Sequence, residues 1–431
     1  MQKVDIIKLA KKVKKSLKNV IKSKKAYVSY SRRIERIKTD NRICAMTFDD
    51  GPTKSDGLTE ALIDTLNRFD AKGTFDVIGS TDKNYPDVAG KIGTPTWSGV
   101  KFDHYPYFEK DDLAGAVNCP ELIDKILESG HEITNHTYSH VLFGKKNIIY
   151  SSRNVLDSFD CVFEDVMKLH ESIKDKHGYS MRFSRPPHYV DKIKGGFNSY
   201  DVYSLMGYNY LAASFDGAGW LPCESAEEEV RAMVTPLENT LKTNADSLCG
   251  QIIFQKDGYN MALRAPVMNG LEKQLSLLQE YGYEVVSVSE LMAESPFSDI
   301  GRDDPDFDIF NELQKTHAIV FSDNTLRPDT VMTRGELAML IAPREEAVNK
   351  RIEYIKKKNH LPYSLKASHP YSGAIKWAID NKVIATVKGM ALPDKSITFS
   401  DIEKLERYFD IEKLDKIALT KRNVLKCFMN K

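Results

Sequence analysis

Of 431 residues, 42% are hydrophobic and 28% charged, and 61 Lys and Arg balance 61 Asp and Glu. The chain is long enough for two domains and lacks the net charge of a nucleic-acid binder or a polyelectrolyte. The zero is a sum of opposites: residues 1–40 carry fourteen basic and three acidic residues, an arm of +11 against a remainder of −11. No run approaches the roughly 20 apolar residues of a membrane-spanning helix, which excludes an integral helical membrane protein. The longest apolar run of the arm, Ala26-Tyr27-Val28, falls short of the about 7–15 residues of a secretory h-region. Six scattered cysteines (Cys44, Cys119, Cys161, Cys223, Cys249 and Cys427) include no CxxC pair. They point to free thiols rather than to a zinc ribbon or a disulfide frame.

In the arm, Ile6, Leu9, Val13, Leu17 and Val20 or Ile21 recur at three- and four-residue steps among lysines. This predicts a basic amphipathic N-terminal helix, with 1–40 as its segment. Such a helix either lies on an anionic membrane surface or packs on its own domain with a solvated lysine face. From Ile43 onward short apolar runs alternate with amphipathic ones. Strands are expected at Ile43–Phe48, Thr74–Ile78, Glu132–Thr134, Arg182–Ser184, Tyr210–Phe215, Gln251–Phe254 and Glu284–Val288. Helices are expected at Leu58–Phe69, Pro120–Ser129, Val155–Lys174, Ala226–Leu241 and Leu271–Tyr281. The alternation predicts an α/β fold over 41–294, a distorted (β/α) barrel of about seven strands. Ser80–Asn118, rich in Gly, Pro and aromatics, breaks the rhythm as an inserted loop. A small, mainly helical domain is expected over 295–431. It carries two imperfect repeats about 70 residues apart and a Lys-rich linker near Lys356–Lys358.

Two constellations carry chemistry. Thr47-Phe48-Asp49-Asp50-Gly51-Pro52 ends the first strand with adjacent carboxylates. Side chains alternate along a strand, so the two acids point to different places: one can bind a cation while the other stays free as a base. The same residues also suit a helix cap followed by a turn. Asn135-His136-Thr137-Tyr138-Ser139-His140 follows the third strand, where barrels place their active sites. Two histidines four apart can converge on one ion, or be an ordinary surface or core pair. Together with the Asp-Asp turn, a site of two histidines and one aspartate is the better explanation, suited to a water-activating metal such as zinc.

Thr47–Pro52, Ala71-Lys72-Gly73-Thr74-Phe75 and Gly130–His140 resemble the polysaccharide deacetylases of the NodB-homology type, the fourth carbohydrate esterase family. The resemblance covers roughly 43–290. It implies a distorted (β/α) barrel and a divalent ion, zinc with cobalt or nickel as alternatives, held by Asp50, His136 and His140. Asp49 would be the base that deprotonates the water attacking an N-acetyl or O-acetyl carbonyl of an acetylated carbohydrate. The third motif of that family is matched by Ser184-Arg185-Pro186-Pro187-His188-Tyr189, in which Arg185 would pair with and orient Asp49. Pro187, His188 and Tyr189 would line the sugar site. Trp220, in Phe215-Asp216-Gly217-Ala218-Gly219-Trp220, fits a groove-lining aromatic.

The chain departs from the family at two coupled positions. The acid expected before the Trp is Gly219, and the histidine expected in the fifth motif is Lys256, within Gln251–Asp257. In the family that acid supports the histidine, which protonates the departing amine. Three readings stay open: Lys256 replaces the acid; His188 or another group supplies the proton; or the protein binds metal and glycan but turns over slowly or not at all. A general acid contributes about 10²–10⁴-fold, so its loss slows such an enzyme without erasing it. An O-acetyl substrate, whose alcohol leaves more readily, would suit a weakened acid. The leading reading is a metal-dependent carbohydrate deacetylase, and the alternative is a glycan-binding, wall-associated protein on the same fold.

In the tail, Asp323–Asp329 with Thr333-Arg334-Gly335-Glu336-Leu337 resembles S-layer homology modules. A second, degenerate copy spans Ala374–Phe399. That resemblance implies a cell-wall polymer as partner; a helical accessory domain is the other reading. Both resemblances imply the cell envelope, whereas the missing h-region and the cysteines favour the cytoplasm.

Overall fold

A computed structural model describes residues 30–80, 113–144, 155–260, 264–316, 323–357, 364–403, 405–415 and 417–429. The helix expected over Ile6–Ile21 and most of the expected insertion, 81–112, lie outside the described residues. The last part of the arm is extended, with a two-residue strand at Arg33–Ile34 where the arm was expected to be helical. The described chain forms two compact units, 39–193 with 211–293 and 30–38 with 194–210 and 294–429.

The first unit alternates strands and helices: β1 (Ile43–Asp49), α1 (Leu58–Arg68), β2 (Gly73–Val77), α2 (Pro120–Glu128), β3 (Glu132–Asn135), α3 (Phe159–His177), β4 (Phe183–Ser184), β5 (Phe215–Asp216), α4 (Ala226–Thr243), β6 (Ile252–Lys256), α5 (Val267–Glu280) and β7 (Glu284–Val286). The strands lie in the order β4-β3-β2-β1-β6-β5, with β7 on the first half of β1, and the pairings are parallel. These seven strands, part of a sheet of nine among the described residues, make the curled, incomplete α/β barrel that the alternation predicts. Six of the seven residues of β1 are buried, as expected of a parallel strand covered on both faces.

Helix starts follow their caps. The helical pattern from Val155 begins only at Phe159, because Ser158 caps α3 by accepting from Cys161 N at 3.1 Å; residues 155–156 are a short strand instead. The run from Tyr210 to Phe215 is broken into strands at Asn209–Leu211 and Phe215–Asp216. All six cysteines are free thiols. Among the described residues no helix is long and apolar enough to cross a membrane.

Parallel strands bring their C-terminal ends to one edge. Register places Asp49 opposite both Asp76 and Lys256, and Asn135 opposite Val77 and Ser184. Residues far apart in sequence therefore meet at that edge.

The second unit is helical, with a core that includes Phe297, Phe310, Leu326, Leu337, Ile375, Phe409 and Leu425. Its helices include α6 (Phe307–Thr316), α7 (Arg334–Ile341), α8 (Arg344–Lys357), α9 (Ser372–Asp380), α10 (Phe399–Ile402) and α11 (Lys421–Met429). The expected linker near Lys356 is the end of α8, whose basic last turn complements the helix dipole. Residues 194–210 group here because Asp201 pairs with Arg351 at 2.6 Å, both largely buried.

Three helix starts of this unit interlock. Thr333 and Thr398 form capping boxes with Glu336 and Asp401, and Thr420 accepts from Asn423 N at 3.4 Å. Their extended lead-ins join by antiparallel bridges, Thr333 to Ser396 and Val331 to Thr420. The first residue of one helix reaches the third of another: Arg334 pairs with Asp401, and Lys421 Nζ stands 2.8 Å from Glu336 Oε1. The third link of such a ring would join Phe399 to Asn423, which carry no charge. Two repeats were expected; this third start, sharing little but its Thr, is added by the structure.

Breaking a buried ion pair leaves an uncompensated charge. Arg334→Met is expected to lower the unfolding free energy of this unit by about 3 kcal/mol in urea denaturation. Lys413→Ala, which removes the exposed ion pair with Asp410, should leave it essentially unchanged.

Candidate active site and metal centre

The edge where the strands end gathers a buried set of charges. Asp49 closes β1, and Asp50 follows at φ 81°, a left-handed conformation that Asp tolerates. The two carboxylates do not diverge as strand alternation predicts: the turn brings Asp49 Oδ2 to 3.8 Å and Asp50 Oδ1 to 3.2 Å from the same His136 Nε2. Asp50 Oδ1 stands 3.2 Å from His136 Nε2 and 3.1 Å from His140 Nε2. The two imidazoles converge because the loop after β3 passes through positive φ at Thr137 and His140. Thr137 N donates to Asn135 Oδ1 at 2.9 Å, and His140 N to Thr137 Oγ1 at 3.0 Å. The three ligand atoms lie within 4.8 Å of one another and all three residues are buried. One carboxylate oxygen and two imidazole nitrogens are a donor set that suits zinc and similar metals.

His136 is held from behind. Its Nδ1 faces Arg185 O at 2.9 Å and Asp76 Oδ2 at 3.1 Å. The Arg185 carbonyl accepts the Nδ1 proton, the Asp76 carboxylate stands beside it, and the ring so held presents Nε2 to Asp50. Asp76 is in turn anchored by Thr134, whose hydroxyl donates to Oδ1 at 2.7 Å. Burial opposes charge on His136, but Asp49 and Asp76 outweigh it and hold its pKa well above the ordinary value when no metal is bound.

Arg185 is fully buried and ion-paired with Asp49. Its remaining N–H groups donate to Thr47 Oγ1 at 3.0 Å, Ala212 O at 3.3 Å and Leu211 O at 3.4 Å. The guanidinium is thus locked, and its charge is committed to Asp49. Even so, burial pushes the Asp49 carboxyl up to about 7 against the pull of Arg185 and His136.

Lys256, at the end of β6, points to the same edge, with Nζ 2.5 Å from Asp50 Oδ2. The next residue, Asp257, donates its amide to Asp49 O at 2.7 Å, and its carboxylate accepts from Thr59 Oγ1 at 2.8 Å. Burial pushes Asp257 up to about 7; Asp50 adds to the rise, while Thr59 and Lys256 oppose it. Gly51 permits this approach, since a Cβ there would lie 1.9 Å from Asp257 Oδ2.

The third-motif residues flank the site. Pro187–Tyr189 make a short turn with His188 at φ 53° and Tyr189 at φ 56°. The His188 ring lies 5.5 Å from that of His140, and the Tyr189 ring 5.5 Å from the Arg185 guanidinium. Trp220, half-buried, donates its indole N–H to Asp216 Oδ1 at 3.0 Å. The place of the expected acid is filled by an amide: Gly219 N donates to Gln255 Oε1 at 3.2 Å, and Gln255 in turn donates to Gln274 at 2.5 Å. A Cβ at Gly219 would come within 2.5 Å of Gln255 Oε1, so the glycine and the buried amide pair belong together.

Sequence reasoning missed Asp76 and Asp257. Asp76 is the residue in register with Asp49 at the end of the neighbouring strand, which is the signal that could have found it.

Residues 36–190 match the polysaccharide deacetylase family model. That span holds Asp49, Asp50, His136, His140 and Arg185, but not Trp220 or Lys256. The chain is 26% identical over 288 residues to the peptidoglycan-N-acetylglucosamine deacetylase PgdA of Listeria monocytogenes, covering 66% of this chain and 47% of that one. It is 25% identical over 256 residues to a peptidoglycan-N-acetylglucosamine deacetylase of Bacillus cereus, covering 59% and 91%. It is 23% identical over 257 residues to the peptidoglycan-N-acetylmuramic acid deacetylase PdaC of Bacillus subtilis, covering 60% and 40%. The chain spans about half the length of the Listeria relative.

The carboxylate behind His136 yields a direct expectation. Asp76→Asn keeps shape and removes charge, and should weaken zinc binding by about 10–100-fold in calorimetric titration without changing the far-ultraviolet circular dichroism.

Proposed function

We propose that this protein is a metal-dependent hydrolase that removes acetyl groups from N-acetylated amino sugars of cell-wall glycan. The observation that carries the reading is the convergence of Asp50, His136 and His140 beside an Arg185-paired Asp49. Those three residues would hold the ion, taken to be zinc, with cobalt or nickel suited to the same donors. When bound, such an ion lowers the pKa of water and steadies negative charge on a carbonyl oxygen.

The protein's own groups supply the rest. Asp49, aimed by Arg185, takes the proton of the attacking water. Asp76 and Arg185 O keep His136 in the tautomer that presents Nε2. Lys256, one short reach from Asp50, is the group proposed to return a proton to the departing amine. Pro187, His188, Tyr189 and Trp220 are proposed to border the sugar, Tyr189 and Trp220 offering flat faces for a pyranose ring. The names of the Listeria and Bacillus relatives as peptidoglycan deacetylases support peptidoglycan amino sugars as the substrate class; acetyl esters are a second class that a weakened proton donor would tolerate. For the C-terminal unit a cell-wall polymer is proposed on sequence resemblance. Arg334 is buried against Asp401, so other groups of that unit would have to meet the polymer.

One observation favours a second reading, a weak or inactive glycan binder: the residue standing for the family's proton donor is ion-paired with Asp50. Acetate release separates the two. Zinc-loaded protein should free acetate from N-acetylglucosamine oligomers or peptidoglycan, with Asp49→Asn slower by about 10²–10⁴-fold. Acetate no higher than the Asp49→Asn background, from amides and esters alike, would sink the enzyme reading and leave the binder. Full activity in Lys256→Ala at saturating zinc would remove the lysine from the mechanism and leave the enzyme.

A further inference from the structure

The Asp50 carboxylate is shared. Its Oδ1 faces His136 and His140, while its Oδ2 faces the Lys256 ammonium at 2.5 Å. Lys256 is delivered by the sheet: it lies in register with Asp49, and strand alternation sends Gln255 the opposite way, onto Gln274. Gly258 leaves room for the lysine stem, since a Cβ there would come within 3.3 Å of Lys256 Cε. The Lys256 side chain is only 9% exposed and that of Asp50 7%, so water and salt screen this pair little.

We infer that Lys256 is an internal counter-ion of the metal centre: with His136 it balances Asp50 when no dication is present, and it weakens the hold on one that arrives. A dication between Asp50 Oδ1 and the two imidazoles would share its carboxylate with a full positive charge on the other oxygen. In a buried place that repulsion is felt strongly. The ligand set alone would bind more tightly than the protein does, so that metal leaves this centre more readily. The metal-free protein keeps Asp50 paired and its fold intact. The inference rests on Asp50, His136 and His140 as the ligand set; it does not depend on the acetyl-transfer chemistry.

Zinc affinity of the full chain, measured by competition with a chromophoric chelator, tests it. Lys256→Gln should bind zinc about tenfold or more tightly than the wild type, while Lys256→Arg, which keeps the charge, should stay within about threefold. Without metal, Lys256→Gln should unfold at lower urea than the wild type, and zinc should restore more than was lost. Lys256→Met, which keeps most of the aliphatic stem, repeats the comparison if the Gln variant does not fold. Equal or weaker binding by the neutral variants, with wild-type binding abolished by His136→Ala, would overturn the counter-ion and leave the metal centre standing. Zinc binding that His136→Ala does not reduce would overturn the ligand set and the inference with it.

Discussion

Two adjacent carboxylates at the end of a buried strand set the terms for the rest of the first unit. Asp49 and Asp50 are 4% and 7% exposed, and an unpaired charge in such a place is strongly unfavourable. Each must find positive or polar partners, and the parallel sheet supplies them from separate strand ends. β4 leads into Arg185 for Asp49, β3 leads into His136 and His140 for Asp50, and β6 contributes Lys256. The topology is therefore inseparable from the electrostatics, because only parallel strands deliver all their C-terminal ends to one edge.

The backbone shows where this arrangement is demanding. Positive φ at non-glycine residues recurs along that edge, at Asp50, Thr137, His140, His188 and Tyr189. Such conformations persist where surrounding contacts over-determine them, and they collect at functional sites. Here the contacts can be named. Asn135 and Thr137 cap the histidine loop, Asp165 accepts from the Ser139 amide at 3.1 Å and its hydroxyl at 2.7 Å, and Asp257 with Thr59 supports the turn after Asp50. The residues behind the site are thus largely carboxylates, hydroxyls and an amide bonded to backbone N–H groups, which aim side chains more rigidly than packing alone.

Most of the first unit was legible in the sequence because its signals are local. Apolar runs of four to seven residues alternating with amphipathic ones locate strands and helices within a few residues. Paired acids and spaced histidines at strand ends locate Asp49, Asp50, His136 and His140. What stayed hidden depends on register or on contacts between distant segments. Asp76 reads as a lone acid in an apolar strand until its pairing with Asp49 is known. Gln255 and Gln274, nineteen residues apart, form an amide pair that no spacing rule announces, though it accounts for the glycine at 219. In the helical unit the third start at Thr420 has too few matching residues to register as a repeat, and 194–210 joins that unit through the Asp201–Arg351 pair, invisible to periodicity.

Asp50, His136 and His140 are proposed to form one dication site. Anomalous diffraction from zinc-soaked crystals, recorded on either side of the zinc absorption edge, tests it most directly. A single strong peak bounded by Asp50 Oδ1, His136 Nε2 and His140 Nε2 is expected. A map with no peak there, or with its only peak elsewhere on the chain, would contradict it.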